Sequence, residues 1–207
     1  MIAGEAALSN WDAGMDMYIY GKLGNLIMTK EGINVLMTNL TGKVPPILQR
    51  LDYIRFNGEA AGYLHDLTLT GLFYTGAGMV KTDVMMSIDE QSMSRTYSGS
   101  VASADLNLGK LLNQEKKFGK VDFNVELKGF NYKNRYPESY IKGIISSFEY
   151  SQYQYENIML DGVYKDGGFN GRLSMDDANG SVQIDGNFNV AKTIPDFNLK
   201  ASVKNLR

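Results

Sequence analysis

The sequence predicts an all-β chain: an extended antiparallel sheet with one or two short helical turns. Three observations lead there. A phrase of the form apolar, any residue, apolar, polar, Gly returns five times, as Ile54-Arg55-Phe56-Asn57-Gly58, Leu67-Thr68-Leu69-Thr70-Gly71, Val125-Glu126-Leu127-Lys128-Gly129, Ile158-Met159-Leu160-Asp161-Gly162 and Val182-Gln183-Ile184-Asp185-Gly186. Met17-Tyr18-Ile19-Tyr20-Gly21 is a looser copy. Alternation of period two sends apolar side chains to one face of a strand and polar ones to the other. Second, Gly, Asn and Asp clusters separate the alternating runs, as hairpin turns do. Third, helix signals are few.

Along the chain, Pro45-Pro46 before Ile47, Leu48 and Leu51 reads as one or two helical turns, since proline is tolerated in a first turn. The phrases ending at Gly58 and Gly71 are strands whose glycines permit a bulge, a bend or a close strand approach. Leu108 to Glu115 is a second short helix or a tight connection. Val121 to Lys128 alternates without a fault, with Val121, Phe123, Val125 and Leu127 on one side. From Tyr150 to Val190 the pattern gives a meander of three or four antiparallel strands, turned at Lys165–Gly168 and Asp176–Gly180. Val182, Ile184, Phe188 and Val190 share one face of its last strand. Phe197, Leu199, Ala201 and Val203 repeat the alternation to Lys204.

Residues 1–207 read as a single β-rich segment, within the length that one sheet system occupies. The phrase glycines are 13, 58, 33 and 24 residues apart, too irregular for a propeller or a β-helix. The alternation runs almost to Arg207 with no closing element, so the expectation is a segment cut from a longer protein.

Composition narrows function. The formal charge is −2 and no basic block exceeds Lys116-Lys117, which gives no case for nucleic acid. There is no cysteine, so disulfides, thiolate zinc sites and cysteine nucleophiles are excluded. Residues 1–10 lack a signal-like pattern, and no stretch approaches the ~20 apolar residues of a membrane-spanning helix.

Candidate sites are mostly better read as structure. The single histidine, His65, adjoins Asp66, but no nucleophile motif or second metal ligand accompanies it. Asp176, Asp177 and Asn179 lack the oxygen series and closing glutamate of a calcium loop, and read as a hairpin turn. Gly76-Ala77-Gly78 has neither the third glycine nor the helix of a phosphate loop. Tyr132, Tyr136, Tyr140, Tyr150, Tyr153, Tyr155 and Tyr164 fall within 33 residues; they suit sugar stacking or interfaces, but also cross-strand pairing. Met85, Met86 and Met159 suit either core packing or a lining for flexible acyl chains. No catalytic residue, metal or cofactor is expected.

The run Leu40 to Leu48, continuing through Phe56-Asn57-Gly58 and Gly62 to Leu67 and on to Gly71, Thr75 and Gly78, resembles the TamB group of the AsmA-like superfamily in its Bacteroides-type form. So do Gly99 to Gly109, Tyr155 to Gly162, and Phe169 to Leu173 with Gln183 to Gly186. The likeness spans roughly residues 12 to 207. Members of that group are much longer, with an inner-membrane anchor and an outer-membrane-engaging end that these residues do not include.

The resemblance implies a sheet curved into a taco-like groove or open barrel, greasy inside and polar outside. It also implies a periplasmic location, an anchor supplied by other parts of the protein, and a role in outer-membrane biogenesis. Physics agrees that an apolar sheet face must be covered by a second sheet, by closure or by apolar ligand.

The expected function is therefore non-enzymatic shielding of phospholipid acyl chains, with the outer-membrane assembly machinery engaged through regions outside this chain. The candidate lining is Val121, Phe123, Val125 and Leu127; Val182, Ile184, Phe188 and Val190; and Phe197, Leu199 and Val203. Open end strands could pair with flanking segments or with another copy. The alternative is a closed β-sandwich binding module, with glycans taken by the tyrosine-rich stretch.

Overall fold

The computed structural model describes residues 4–10, 12–41, 43–89, 91–92, 94–131, 138–189 and 195–205. Twelve strands form one open antiparallel sheet in which every strand pairs only with its sequence neighbours. They are β1 (Gly4–Ser9), β2 (Tyr18–Thr29), β3 (Tyr53–Tyr63), β4 (Asp66–Thr75), β5 (Gly78–Asp89), β6 (Ser94–Asn107), β7 (Phe118–Asn131), β8 (Glu138–Tyr150), β9 (Tyr153–Lys165), β10 (Gly168–Asp177), β11 (Gly180–Asn189) and β12 (Asp196–Lys204). The sheet does not close, which bears out the expected open, curved all-β architecture. Among the described residues all twelve strands belong to this one sheet, and no second sheet accompanies it.

Cross-strand register turns the alternation into rows. Leu23, Gly58, Gly71, Thr82, Val101, Val125, Gly143, Leu160, Leu173, Ile184 and Ala201 stand opposite one another in succession across eleven strands. Directly opposed residues of an antiparallel pair project to the same side. Each phrase therefore sends its two apolar residues and its glycine to a single apolar face.

The glycines lie inside the strands, where the backbones approach too closely for a side chain. A Cβ at Gly58 would stand 2.2 Å from the Thr70 carbonyl oxygen and 2.6 Å from Gly71 Cα. The Phe56 ring folds over both glycines and pairs with Phe73, ring centres 4.7 Å apart. An aromatic ring thus covers the backbone that the glycines expose.

Helix α1 (Lys30–Thr41) links β2 to β3, and α2 (Leu108–Leu112) links β6 to β7. The sequence reading missed α1. Gly32, Ile33, Val35 and Thr38 are weak helix formers. Its signals were Thr29, whose hydroxyl accepts from Gly32 N–H at 3.4 Å, and the i, i+4 pair Ile33 and Met37. The turn expected after Pro45-Pro46 is a 3-10 turn at Leu48–Arg50, and the helix expected from Leu108 ends at Asn113 in the left-handed region, φ 57°.

Both helices cover one end of the apolar face. Ile33, Leu51, Ile54, Ala77, Leu106, Leu111 and Val121 form a core there, with Met28, Phe73, Phe123 and Phe148 among the residues against it. Polar contacts lace the same end: Arg50 Nη1 donates to the Leu111 carbonyl, and Lys110 Nζ bonds Asp52 at 3.0 Å and the Gly76 carbonyl at 3.3 Å.

Hairpin chemistry follows local sequence. Asp166 and Gly167 take φ 51° and 76°, the mirror-image turn that matches strand twist. The Asp177–Gly180 turn differs, because Ala178 and Asn179 keep negative φ and the Asp177 carboxylate accepts from Asn179 N–H at 2.8 Å.

Candidate functional site

The candidate site is the apolar face itself. Its described members from the expected lining all share that face: Val121, Phe123, Val125 and Leu127 on β7, Val182, Ile184 and Phe188 on β11, and Phe197, Leu199 and Val203 on β12. Val190 lies outside the described residues. With three strands between them, β7 and β11 are joined through Ile145, Ile158 and Met175 between Phe123 and Val182.

The lining is not uniform. Val121 is 6% exposed beneath α2, so it belongs to the capped-end core and not to an open groove, which corrects its expected role; Phe123 packs against that core. Val125, Leu127, Val182 and Ile184 are half-buried. Phe197, Leu199 and Val203 are 60%, 44% and 53% exposed. Helices that cover the β2–β8 end do not reach β10–β12, and β12 has no neighbour beyond it among the described strands.

The methionines are split between faces. Met86 and Met175 stand on the apolar face, but Met85 and Met159 stand on the other, Met159 opposite Ile144. Period two makes adjacent methionines point apart, so Met85 and Met159 are not groove lining.

The tyrosines also divide. Tyr153 and Tyr155 meet edge to face at 4.6 Å and continue into Phe148, Phe118 and Tyr150 at the capped end. Tyr140 lies on the polar face and donates to Asp161 at 2.9 Å, a bond that raises its pKa. Tyr132 and Tyr136 fall outside the described residues. Cross-strand packing accounts for the described cluster better than a flat sugar platform.

The reverse face carries a charge pattern that sequence reading missed. One row reads Glu126, Lys142, Asp161, Arg172, Asp185 and Lys200 across β7 to β12, alternating in sign at every step. Arg172 Nε donates to Asp185 at 2.6 Å, and Lys142 Nζ stands 3.7 Å from Asp161. Hydrogen bonds from Gln183 and then Arg172 hold the Asp185 carboxyl below the usual carboxylate range. The members are scattered in sequence, and only strand register brings them together.

His65 sits in the β3–β4 turn, stacked on Tyr63 with Nδ1 2.9 Å from the Met15 carbonyl. Gly76 and Ala77 form the β4–β5 turn, with Ala77 in the core. Among the described residues no group of three or more His, Cys, Asp or Glu could hold a metal ion. No described helix is long and apolar enough to cross a membrane, which says nothing of membrane-crossing strands.

No family model, curated protein or solved structure matches this chain. Function therefore rests on the face and its chemistry.

On the apolar face, a hollow of about 200 Å³ lies between Tyr153, Tyr155, Met175 and Val182. A wider cleft of about 510 Å³ on the polar face is edged by Ile144, Met159, Lys142 and Arg172. The apolar face itself runs from covered core to exposed edge.

Proposed function

We propose that this chain is a non-enzymatic segment that shields lipid acyl chains along its apolar sheet face. On the resemblance to the TamB group, it works in the periplasm within a longer, membrane-anchored protein that supports outer-membrane biogenesis. The observation that carries the reading is a single apolar face spanning all twelve strands, covered at one end and exposed at Phe188, Phe197, Leu199 and Val203. Exposed contiguous apolar surface of this kind marks an interaction site.

Energetics favour such cargo. Each buried methylene gains about 0.8 kcal/mol, so a 16-carbon chain leaving water gains on the order of 10 kcal/mol. Neighbouring positions lined by Val, Ile, Leu and Phe differ little in energy, so a chain slides along them with little selectivity. The polar reverse face, with its charge ladder, keeps the other side of the sheet wetted.

The test is native mass spectrometry of the protein purified from a host with a cell envelope, followed by lipid extraction. Bound phospholipid is expected, and it should be lost in the double variant Ile184→Asp, Leu199→Asp while circular dichroism stays unchanged. A folded, lipid-free protein that also excludes an apolar dye would overturn the reading and bring glycan binding forward.

A further inference from the structure

We propose that the hollow between Tyr153, Tyr155, Met175 and Val182 binds a quaternary ammonium group, of the kind that ends a choline headgroup. It is built from β9, β10 and β11, and it is the one hollow of the apolar face that carries a carboxylate.

Its aromatic walls come from a break in the strand pattern. Strict alternation would send Tyr155, three residues from Ile158, to the reverse face. Asn157, at φ 51°, interrupts the alternation. Tyr155 therefore stands opposite Phe148 as Ile158 stands opposite Ile145, and Phe148 and Ile145 both pack against the same core. Tyr153 and Tyr155 meet with ring centres 4.6 Å apart and planes inclined at 67°, so they form a corner and not a flat platform. Met175 and Val182, directly opposed on β10 and β11, add an apolar wall.

The charge comes from Asp177, two residues beyond Met175 on the same face. Its carboxylate accepts from the Tyr153 hydroxyl at 3.0 Å and from Asn179 N–H at 2.8 Å. The Asn179 side-chain amide donates in turn to the Tyr153 hydroxyl. Among the described residues no Lys or Arg forms an ion pair with Asp177. The corner thus joins an unbalanced negative charge to electron-rich rings, and both attract a cation.

Size and hydrogen-bond capacity narrow the cation. About 200 Å³ is less than a drug-sized ligand needs, so the hollow takes a compact group and not a whole molecule. A primary ammonium carries three donors that must each find an acceptor, and a guanidinium carries five. Here the tyrosine hydroxyl and both carboxylate oxygens are already engaged by protein donors. A trimethylammonium has no N–H to satisfy. It lays methyl groups against Tyr155, Met175 and Val182 and brings its positive charge beside Asp177. The group could be free choline or a lipid headgroup, and only the second source rests on the acyl-chain reading.

Calorimetric titration of the protein with choline tests the site. The comparison ligands are its uncharged isostere, in which carbon replaces nitrogen, and ethanolamine, which is charged but bears N–H groups. Choline should bind roughly tenfold tighter than either. Asp177→Asn should erase the advantage over the uncharged isostere, and Tyr155→Leu should abolish choline binding with circular dichroism unchanged. Equal affinities for the three ligands, or an Asp177→Asn protein that still prefers choline to the isostere, would overturn the proposal. Failure to bind choline would overturn it too, and phospholipid still taken up would then leave the acyl-chain reading standing. Choline bound by a protein that takes up no phospholipid would keep the site and discard that reading. Vesicles identify the source: preferential uptake of phosphatidylcholine over phosphatidylglycerol supports the headgroup, and binding of choline without that preference supports the free cation.

Discussion

The capped end of β2–β8 and the open strands β10–β12 carry the same alternating pattern on the same face, yet their side chains meet different fates. Ile54 and Val121 are 8% and 6% exposed, while Leu199 and Val203 are 44% and 53% exposed. The difference lies in what crosses the face. Two helices and a 3-10 turn, threaded between strands, cover the first region, and nothing comparable reaches the second among the described residues. A period-two pattern therefore prepares an apolar face without deciding whether protein, lipid or another copy covers it.

The comparison breaks most sharply at Ile33, which is 2% exposed and anchors α1 to the core. Ile33→Ala should destabilise the protein by about 2–5 kcal/mol, read as a lowered denaturation midpoint. Hydrogen exchange should quicken first at the capped ends of β2 to β8. Exchange that quickens equally at β12 would mean the two regions unfold as one unit.

Next comes Gly58, in the strand interior where the backbones crowd. Gly58→Val should cost about 1–3 kcal/mol, because its Cβ falls on the Thr70 carbonyl and Gly71 Cα, which cannot swing aside as a side-chain tip could. Unchanged thermal stability would show that the strands separate there without strain.

The smallest effect belongs to the open region. Leu199→Ala should change the stability of the isolated chain by no more than about 0.5 kcal/mol, as at other exposed positions. A loss comparable to that of Ile33→Ala would mean that β12 is covered in solution.

Much of the sheet was legible in sequence. The runs 121–128, 182–190 and 197–204 alternate so regularly that strand and face both follow, and β7, β11 and β12 lie where those runs predict. Helix α1 was not legible, because its glycine and β-branched residues lower local propensity and its formation rests on burying Ile33. The place of Leu106 was hidden as well. It shares the apolar face with Ser103 only because a bulge between them adds a residue, with Asp105 at φ 53°. The fates of Met85 and Met159 needed the faces assigned, and the charge ladder needed the register.

By itself, the sequence determined the strands, their two faces and the glycines that let them crowd together, since these follow from period two and from the missing Cβ. Only the tertiary structure decided which end is capped, which apolar residues remain in water, and how scattered charges join into one row. Those depend on register and on helices folding back across the sheet, and neither is a property of any local stretch of chain.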